Sequence, residues 1–354
     1  KPFKEVLTHG FVVDAKGHKM SKSLGNVISP QDVCNNLGAD ILRLWAASTD
    51  YRSEMTVSDE IFKRTADTYR RLRNTSRFLL SNLDGFNPET DIMDFDKLVK
   101  LDQWAITKTQ EFQEKIIEAY DSYQTHTVAQ LIHHFCSVEM GSFYLDIIKD
   151  RQYTAKADGH PRKSAQTAIY HIVHALVRWI APILSYTADE IWNATPKTTD
   201  LPIQLCEWYT ELQGFDTEEM GLEFWKEIQT IRGEVNRIME VKRGEGLIKA
   251  SLEAKITLYA DEAIFNKLAK LESELRFLLI TSDAELKPFS EKTAGATETT
   301  VNGLAIDIDK LEETKCERCW HRSDTVGQND EHPDICHRCI ENITTEKGES
   351  REFA

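Results

Sequence analysis

Two groups of side chains in this sequence are spaced to do chemistry. Lys19-Met20-Ser21-Lys22-Ser23 places two ammonium and two hydroxyl groups within five residues, after a strand-like run from Val6 to Val13 and a turn at Asp14-Ala15-Lys16-Gly17. Donors fixed on a short loop can surround a polyphosphate and stabilise charge that develops during phosphoryl or nucleotidyl transfer. Lys22 is the leading candidate for that role. The same composition also describes a solvated loop, so its surroundings decide.

The second group is Cys316-x2-Cys319 followed, after sixteen residues, by Cys336-x2-Cys339. Each pair can set two thiolates on one edge of a turn. Four thiolates complete a tetrahedral zinc shell with no position left for water, which makes one structural ion and not a hydrolytic one. A redox dithiol needs a single C-x-x-C opening a helix after a strand, not two matched pairs. His321, His332 and His337 are spare donors nearby. Lys315, Arg318, Arg322 and Arg338 offset the excess thiolate charge and can also face phosphates, while Trp320 can stack on a nucleotide or pack against the zinc loop. Cys34, Cys136 and Cys206 stand alone and read as packed or inert thiols.

A chain of 354 residues with 41% hydrophobic and 29% charged residues reads as soluble material of two to three domains. It has no apolar run approaching the roughly 20 residues needed to cross a bilayer. No export leader is visible, and paired C-x-x-C cysteines in a long chain fit the cytoplasm better than a disulfide scaffold. The formal net charge of −15 excludes a surface that is basic throughout, so any nucleic acid must be met by a local basic face.

Residues 58–83 provide one. Turned at about 100° per residue, Ile61, Phe62, Thr65, Tyr69, Leu72, Leu79, Leu80 and Leu83 fall in one arc, with Lys63, Arg70, Arg73 and Arg77 in the next. Ser58 is placed to cap the helix, with Asp59 and Glu60 in its first turn. From Ile61 to Arg77 six basic residues stand against one acidic residue. Arginine forks match phosphate oxygens, although a solvated face with internally paired arginines has the same pattern. Further helices are expected at Leu98–Tyr123, Val128–Lys149, Pro161–Ile180 and Leu222–Val241, the last ended by Gly244-Glu245-Gly246. Their histidines, His133, His134, His171 and His174, lack a companion ligand set and read as half-buried helix residues. Trp104, Trp179, Trp192 and Trp225 read as core. Beyond Gly246, Leu252–Tyr259 alternates like a strand and Asp261–Arg276 reads as a helix. Phe277–Ile280 and Gly303–Ile308 are candidate strands, Glu291–Thr300 a loop, and Thr344–Ala354 a frayed polar end.

Lys19-Met20-Ser21-Lys22-Ser23-Leu24-Gly25-Asn26 closely resembles the second signature motif of class I aminoacyl-tRNA synthetases. Leu42-Arg43-Leu44-Trp45-Ala46-Ala47-Ser48, Asp50-Tyr51, Ser58-Asp59-Glu60-Ile61 and the stretch from Tyr69 to Leu80 follow the order and spacing of the bacterial isoleucyl-tRNA synthetase family. Cys316 to Cys339 is similar to that family's C-terminal zinc module. Valyl, leucyl and methionyl enzymes share the first motif, so the later stretches are what favour isoleucine.

The resemblance implies a mainly α fold. A helical anticodon-binding bundle (56–245) is preceded by the lysine-loop end of a catalytic domain (1–55) and followed by a small α+β subdomain (246–312), a zinc-binding module (313–345) and a tail (346–354). It also implies an isoleucine-tRNA ligase that uses ATP and Mg to activate isoleucine and transfer it to tRNA(Ile). In that reading Lys19 and Lys22 are catalytic, Lys19, Met20, Ser21, Lys22 and Ser23 hold ATP, and Lys63, Arg70, Arg73, Arg77 and Trp320 meet tRNA. The zinc is structural and the protein a monomer.

The family's His-x-Gly-His signature is absent, and only 23 residues precede Leu24. A nucleotide-binding domain and an editing domain are therefore expected upstream, and this stretch alone is expected to be inactive. A valyl- or leucyl-type fragment, a non-catalytic zinc-ribbon RNA-binding protein and a helical scaffold are the competing readings.

Overall fold

The structure, a computed structural model, describes residues 2–197, 199–214 and 219–354. It is mainly helical and divides into two compact units: residues 1–90, 108–142 and 169–212, and residues 91–107, 143–168 and 213–354.

In the first unit, two-residue strands β1 (Val12–Val13) and β2 (Met55–Thr56) pair in parallel, and helices α1 (Pro30–Leu37) and α2 (Ala39–Ser48) lie between them in sequence. Only these two residues of the strand-like run from Val6 pair as a strand; Val6, Leu7 and Phe11 are exposed. Val33, Ile41, Trp45, Met55, Val57 and Phe62 form the core beneath this element, with Trp45 and Phe62 rings 5.6 Å apart. Gly10 is required by close approach, because a Cβ there would lie 2.0 Å from the Ser53 carbonyl oxygen.

Helix α3 (Asp59–Ser81) begins as its sequence demands, with the Ser58 hydroxyl accepting from the Ile61 N–H. It buries Phe62, Leu72 and Leu79. The unit also contains residues 108–121 of α4 (Lys100–Asp121), α5 (Thr125–His134), residues 169–180 of α8 (His160–Ile180) and α9 (Ser185–Ala194). The regular helix expected over Val128–Lys149 is replaced after His134 by a wide π-helical stretch, Phe135–Tyr144. There Gly141 lets the backbone close up, since a Cβ would sit 2.8 Å from the Cys136 carbonyl oxygen.

The second unit holds α6 (Leu145–Ile147), α7 (Lys149–Thr154) and the 23-residue helix α10 (Leu222–Gly244). It also holds a four-stranded sheet in the order β4-β3-β6-β5. β3 (Ala254–Ala260) runs parallel to β4 (Asp283–Pro288) and antiparallel to β6 (Leu304–Lys310). The β3-to-β4 connection carries α11 (Glu262–Ala269) and α12 (Leu275–Leu279).

Three expectations fail here for physical reasons. Leu275-Arg276-Phe277-Leu278-Leu279 forms a buried helical turn and not a strand, ended by Ile280 in the left-handed conformation at φ +56°. The helix expected over Asp261–Arg276 is interrupted after Ala269 by a tighter turn at Glu272–Glu274. Within Glu291–Thr300, Thr297–Glu298 (β5) pairs with β6 at the sheet edge, backbone bonding that needs no apolar side chains. The last helix, α13 (His337–Thr344), belongs to the cysteine module.

The end of the chain is not frayed. Glu349, Arg351 and Ala354 are buried, the Glu274 carboxylate accepts from the N–H groups of Glu352, Phe353 and Ala354, and the carbonyls of Glu352 and Phe353 accept from Lys100 and Leu101. Those two amides open α4 and have no partner within the helix, so the terminal residues cap it. Trp104, Trp179, Trp192 and Trp225 are buried, as expected.

Candidate functional site

The lysine loop hangs on one carboxylate and one amide. Asp14 accepts from the N–H groups of Lys16 and His18, and its other oxygen accepts from Asn26 Nδ2 at 2.9 Å. These bonds hold the Asp14 carboxyl below its usual range, the Asn26 bond contributing most. Asn26 Oδ1 in turn accepts from the Ser21 N–H at 2.9 Å, so both ends of Lys19–Asn26 are pinned to the turn that follows β1. Between them Lys22–Leu24 makes a single tight turn, capped by the Ser21 hydroxyl accepting from the Leu24 N–H. Lys19 and Lys22 are both exposed. Lys19 Nζ lies 5.8 Å from the Phe11 ring centroid, and neither lysine has an ion pair among the described residues. A cradled loop with unpaired ammonium groups can meet an anion without first breaking an internal bond.

In the second unit the four cysteines converge. Cys316, Cys319, Cys336 and Cys339 are buried, and their sulfurs all lie within 4.8 Å of one another. Cys316 Sγ is 3.7 Å from Cys339 Sγ, and Cys319 Sγ is 3.7 Å from Cys336 Sγ. Ligands about 2.3 Å from a zinc ion at tetrahedral angles stand about 3.8 Å apart, so the donor set fits zinc. The same separations are far from the roughly 2.05 Å of a disulfide. The first pair sits on a reversal in which Trp320 takes φ +68° and its N–H donates to the Cys316 carbonyl, while Cys316 N–H donates to His321 O at 2.8 Å. In the second pair, Cys336 precedes α13 and Cys339 lies in its first turn. The Cys336 N–H points at Cys316 Sγ at 3.3 Å. Polar hydrogen aimed at sulfur is what a thiolate shell needs from its surroundings.

Residues 1–58 match a family model described as tRNA synthetases class I (I, L, M and V), residues 102–258 one described as anticodon-binding domain of tRNA ligase, and residues 314–342 one described as zinc finger found in FPG and IleRS. An isoleucine-tRNA ligase of Francisella philomiragia subsp. philomiragia is 77% identical over 355 residues, covering 100% of this chain. Those of Francisella tularensis subsp. novicida and subsp. tularensis are 75% identical over the same span. Along its whole length the chain is similar to isoleucine-tRNA ligases. It spans 38% of the length of these relatives. A likeness of this kind over the whole chain matches the isoleucine reading and not the valyl, leucyl or free-standing zinc-ribbon ones, and the matched zinc finger agrees with a structural zinc on the four thiolates.

Against that family background, the remaining candidates separate by environment. Lys63, Arg70, Arg73 and Arg77 are all on the exposed side of α3. Arg70 reaches Asp67 at 2.7 Å, and Arg73 reaches Glu190 at 3.0 Å and the Tyr69 hydroxyl at 3.2 Å, whereas Lys63 and Arg77 make no ion pair among the described residues. Trp320 is 61% exposed with the Lys315 ammonium 5.0 Å from its ring, so it does not pack into the zinc loop.

Arg338 departs from expectation. Its guanidinium does not face outward but grips Asp150 through both oxygens at 2.6 and 2.8 Å. Arg318 and Arg322 are also engaged, with the Thr154 carbonyl and the Glu313 carbonyl respectively. Among the histidines, His171 Nδ1 is 2.7 Å from the Tyr209 hydroxyl and His174 Nε2 is 3.0 Å from the Pro196 carbonyl. Burial pushes both of their pKa values down to about 4. Burial likewise raises the Cys136 thiol to about 12, which keeps it inert.

Sequence reasoning missed two buried charge centres. Asp102, fully buried on α4, receives Arg151 at 2.7 and 2.8 Å, the Tyr144 hydroxyl at 2.8 Å and the Ser164 hydroxyl. Next in sequence to Arg151, Asp150 receives Arg338 and Arg351. The only local sign of either was an acid and an arginine side by side in α7.

Proposed function

We propose that this chain is the part of an isoleucine-tRNA ligase that brings the ATP-phosphate loop, the tRNA-binding helices and the structural zinc to the reaction. In that reaction the isoleucine carboxylate attacks the α-phosphorus of ATP and expels pyrophosphate, and a ribose hydroxyl of tRNA(Ile) then attacks the acyl carbon and expels AMP. Lys22, with Lys19, meets charge that grows on the phosphate oxygens as the bond to pyrophosphate breaks. Ser21 and Ser23, whose hydroxyls are 3.1 Å apart, shape the loop around them. Mg accompanies ATP as substrate.

Cys316, Cys319, Cys336 and Cys339 would hold one zinc that fixes the module presenting Trp320. Lys63, Arg70, Arg73 and Arg77 would meet tRNA phosphates. The observation that supports this reading most is the pinned, unpaired lysine pair in a chain alike along its whole length to isoleucine-tRNA ligases.

The test is ATP–pyrophosphate exchange by the complete enzyme. Lys22→Ala should lower the exchange rate by about 10²–10³-fold, the range for losing one fixed donor to developing charge, with isoleucine binding little changed. An unchanged rate overturns the assignment of Lys22. This chain by itself should show no exchange.

A further inference from the structure

We infer that the dipeptide Asp150-Arg151 of α7 is a two-sided latch that makes the cysteine module, the terminal residues 349–354 and the first turn of α4 open and close as one unit. On one side Asp150 takes the bidentate Arg338 fork from α13, between two of the cysteines, and Arg351 from the chain end at 2.9 Å. Glu349 closes the ring, accepting from Arg351 Nε at 2.9 Å and from Asn342 of α13 at 2.9 Å, with Arg338 Nη1 at 3.3 Å. His321, two residues after Cys319, brings Nε2 to 3.6 Å from Asp150. The Arg351 guanidinium sits 3.2 Å from the centroid of the Phe277 ring, so the cations are covered on their open face.

The other side of the latch faces α4. Arg151, 1% exposed, holds Asp102 in the first turn of the helix whose opening amides at Lys100 and Leu101 are capped by the carbonyls of Glu352 and Phe353. The terminal residues are thus tied at one end to Asp150 and at the other to α4, and α7 joins the two ties covalently. None of these residues is a metal ligand; Arg151, Arg351 and Glu349 are buried, while Asp150, Phe277 and His321 also line a cavity beside the exposed Trp320. A buried charge with its partner removed is costly, so the arrangement favours all contacts together or none. Burial alone would raise the Asp150 carboxyl; Arg338, His321 and Arg351 instead hold it well below the usual range.

The inference rests on the zinc reading, and the experiment separates the two. Metal content of the purified chain is measured first: no zinc overturns the zinc reading itself. With one zinc bound, a chelator removes it while amide hydrogen exchange is followed. Lys100, Leu101 and residues 349–354 should lose protection in step with the cysteine module, and protection retained there after the metal has left overturns the latch. Release to the chelator should then be at least about tenfold faster for a chain ending at Thr344 and for Asp150→Asn, with Asp150→Glu restoring part of the difference. Release at the parental rate in a folded truncated chain overturns it as well. Should the variants not fold, the exchange experiment on the parent decides alone.

Discussion

The basic face of α3 and the arginines around Asp150 and Asp102 use the same side chain to opposite ends. On α3, Arg70 and Arg73 are 67% and 52% exposed and lean on acids that are themselves exposed. At Asp150 and Asp102, Arg351 and Arg151 are 2% and 1% exposed and each is held in a multi-bond network. Water screens the first group, so its pairs are weak and its cations remain available to another anion. The second group has lost its water and is bound to its partner by the cost of leaving it unpaired. Sequence pattern does not separate the two cases, because what distinguishes them is the desolvation that the fold imposes.

The comparison breaks most visibly at the metal. Zinc would neutralise four buried thiolates that the surrounding arginines cannot serve alone, since Arg338 and Arg322 are tied up with carboxylates and carbonyls and Arg318 reaches Cys339 Sγ at 3.8 Å. Structural zinc contributes about 10 to 16 kcal/mol of apparent binding free energy to small modules, more than residues 313–345 can replace with their own core. Removing the ion, or changing all four cysteines to serine, should unfold that module while α8 and α10 keep their helicity. Circular dichroism with metal analysis reads both. A serine variant that still carries one zinc would show that the ligands lie elsewhere.

Next in size is the Asp102 centre. Asp102→Ala leaves Arg151 buried and unpaired, which should lower the unfolding free energy by about 3–5 kcal/mol in denaturant titration. Replacing both residues, Asp102→Leu with Arg151→Met, should recover most of that loss, since a packed apolar pair avoids the desolvation cost. The matching change at the surface, Asp67→Ala beside Arg70, should cost under about 1 kcal/mol. Equal effects at the two sites would remove the contrast.

What was legible in the sequence follows the range of the interactions. Ser58, the apolar stripe of α3 and the two C-x-x-C pairs act over a few residues, and they were readable for that reason. The Asp150 centre joins residues 188 and 201 positions apart, and nothing in the neighbourhood of Arg338 or Arg351 announces where its partner lies. β4 reads Asp-Ala-Glu-Leu-Lys-Pro, a short alternation without a β-branched or aromatic residue and ended by proline, and it is held at the sheet edge by backbone pairing to β3. The apolar run at α12 looks like a strand because burial on all sides erases the periodicity that would mark a helix. The chain end looked frayed because its polar side chains reveal nothing of the Glu274 carboxylate waiting for its amides.

Acid sharpens the comparison inside the first unit. His171 and His174 are buried and kept neutral, near Tyr170, Tyr209, Glu211 and the Arg178 guanidinium, with folded pKa values of about 4 against roughly 6.5 when unfolded. The unfolded chain therefore binds protons first as pH falls, and stability is lost between about pH 6.5 and 4. At pH 5 the loss is about 2 kcal/mol for each histidine. Asp150 behaves oppositely, since its depressed pKa keeps its contribution intact until the pH falls below the ordinary carboxylate range. His171→Gln with His174→Gln should flatten the stability profile between pH 7 and 5, and an unaltered slope would remove these histidines as its cause.

The smallest effect on the fold, and the one that decides what the basic face is for, comes from Arg73→Glu with Arg77→Glu. Arg73 holds an exposed pair with Glu190 and Arg77 none among the described residues, so unfolding free energy should change by less than about 1 kcal/mol. Binding to tRNA should respond quite differently. Each phosphate contact removed lowers the slope of log affinity against log salt by about 0.7 to 0.9, so losing two should reduce it by roughly 1.4 to 1.8, whatever tRNA is used. Because Arg73 must first leave Glu190, Arg77→Glu alone should account for the larger share of the loss at low salt. A double variant that keeps the parental slope would make α3 a solvated, internally paired face and move the tRNA contact to the exposed Trp320 and Lys315 of the cysteine module.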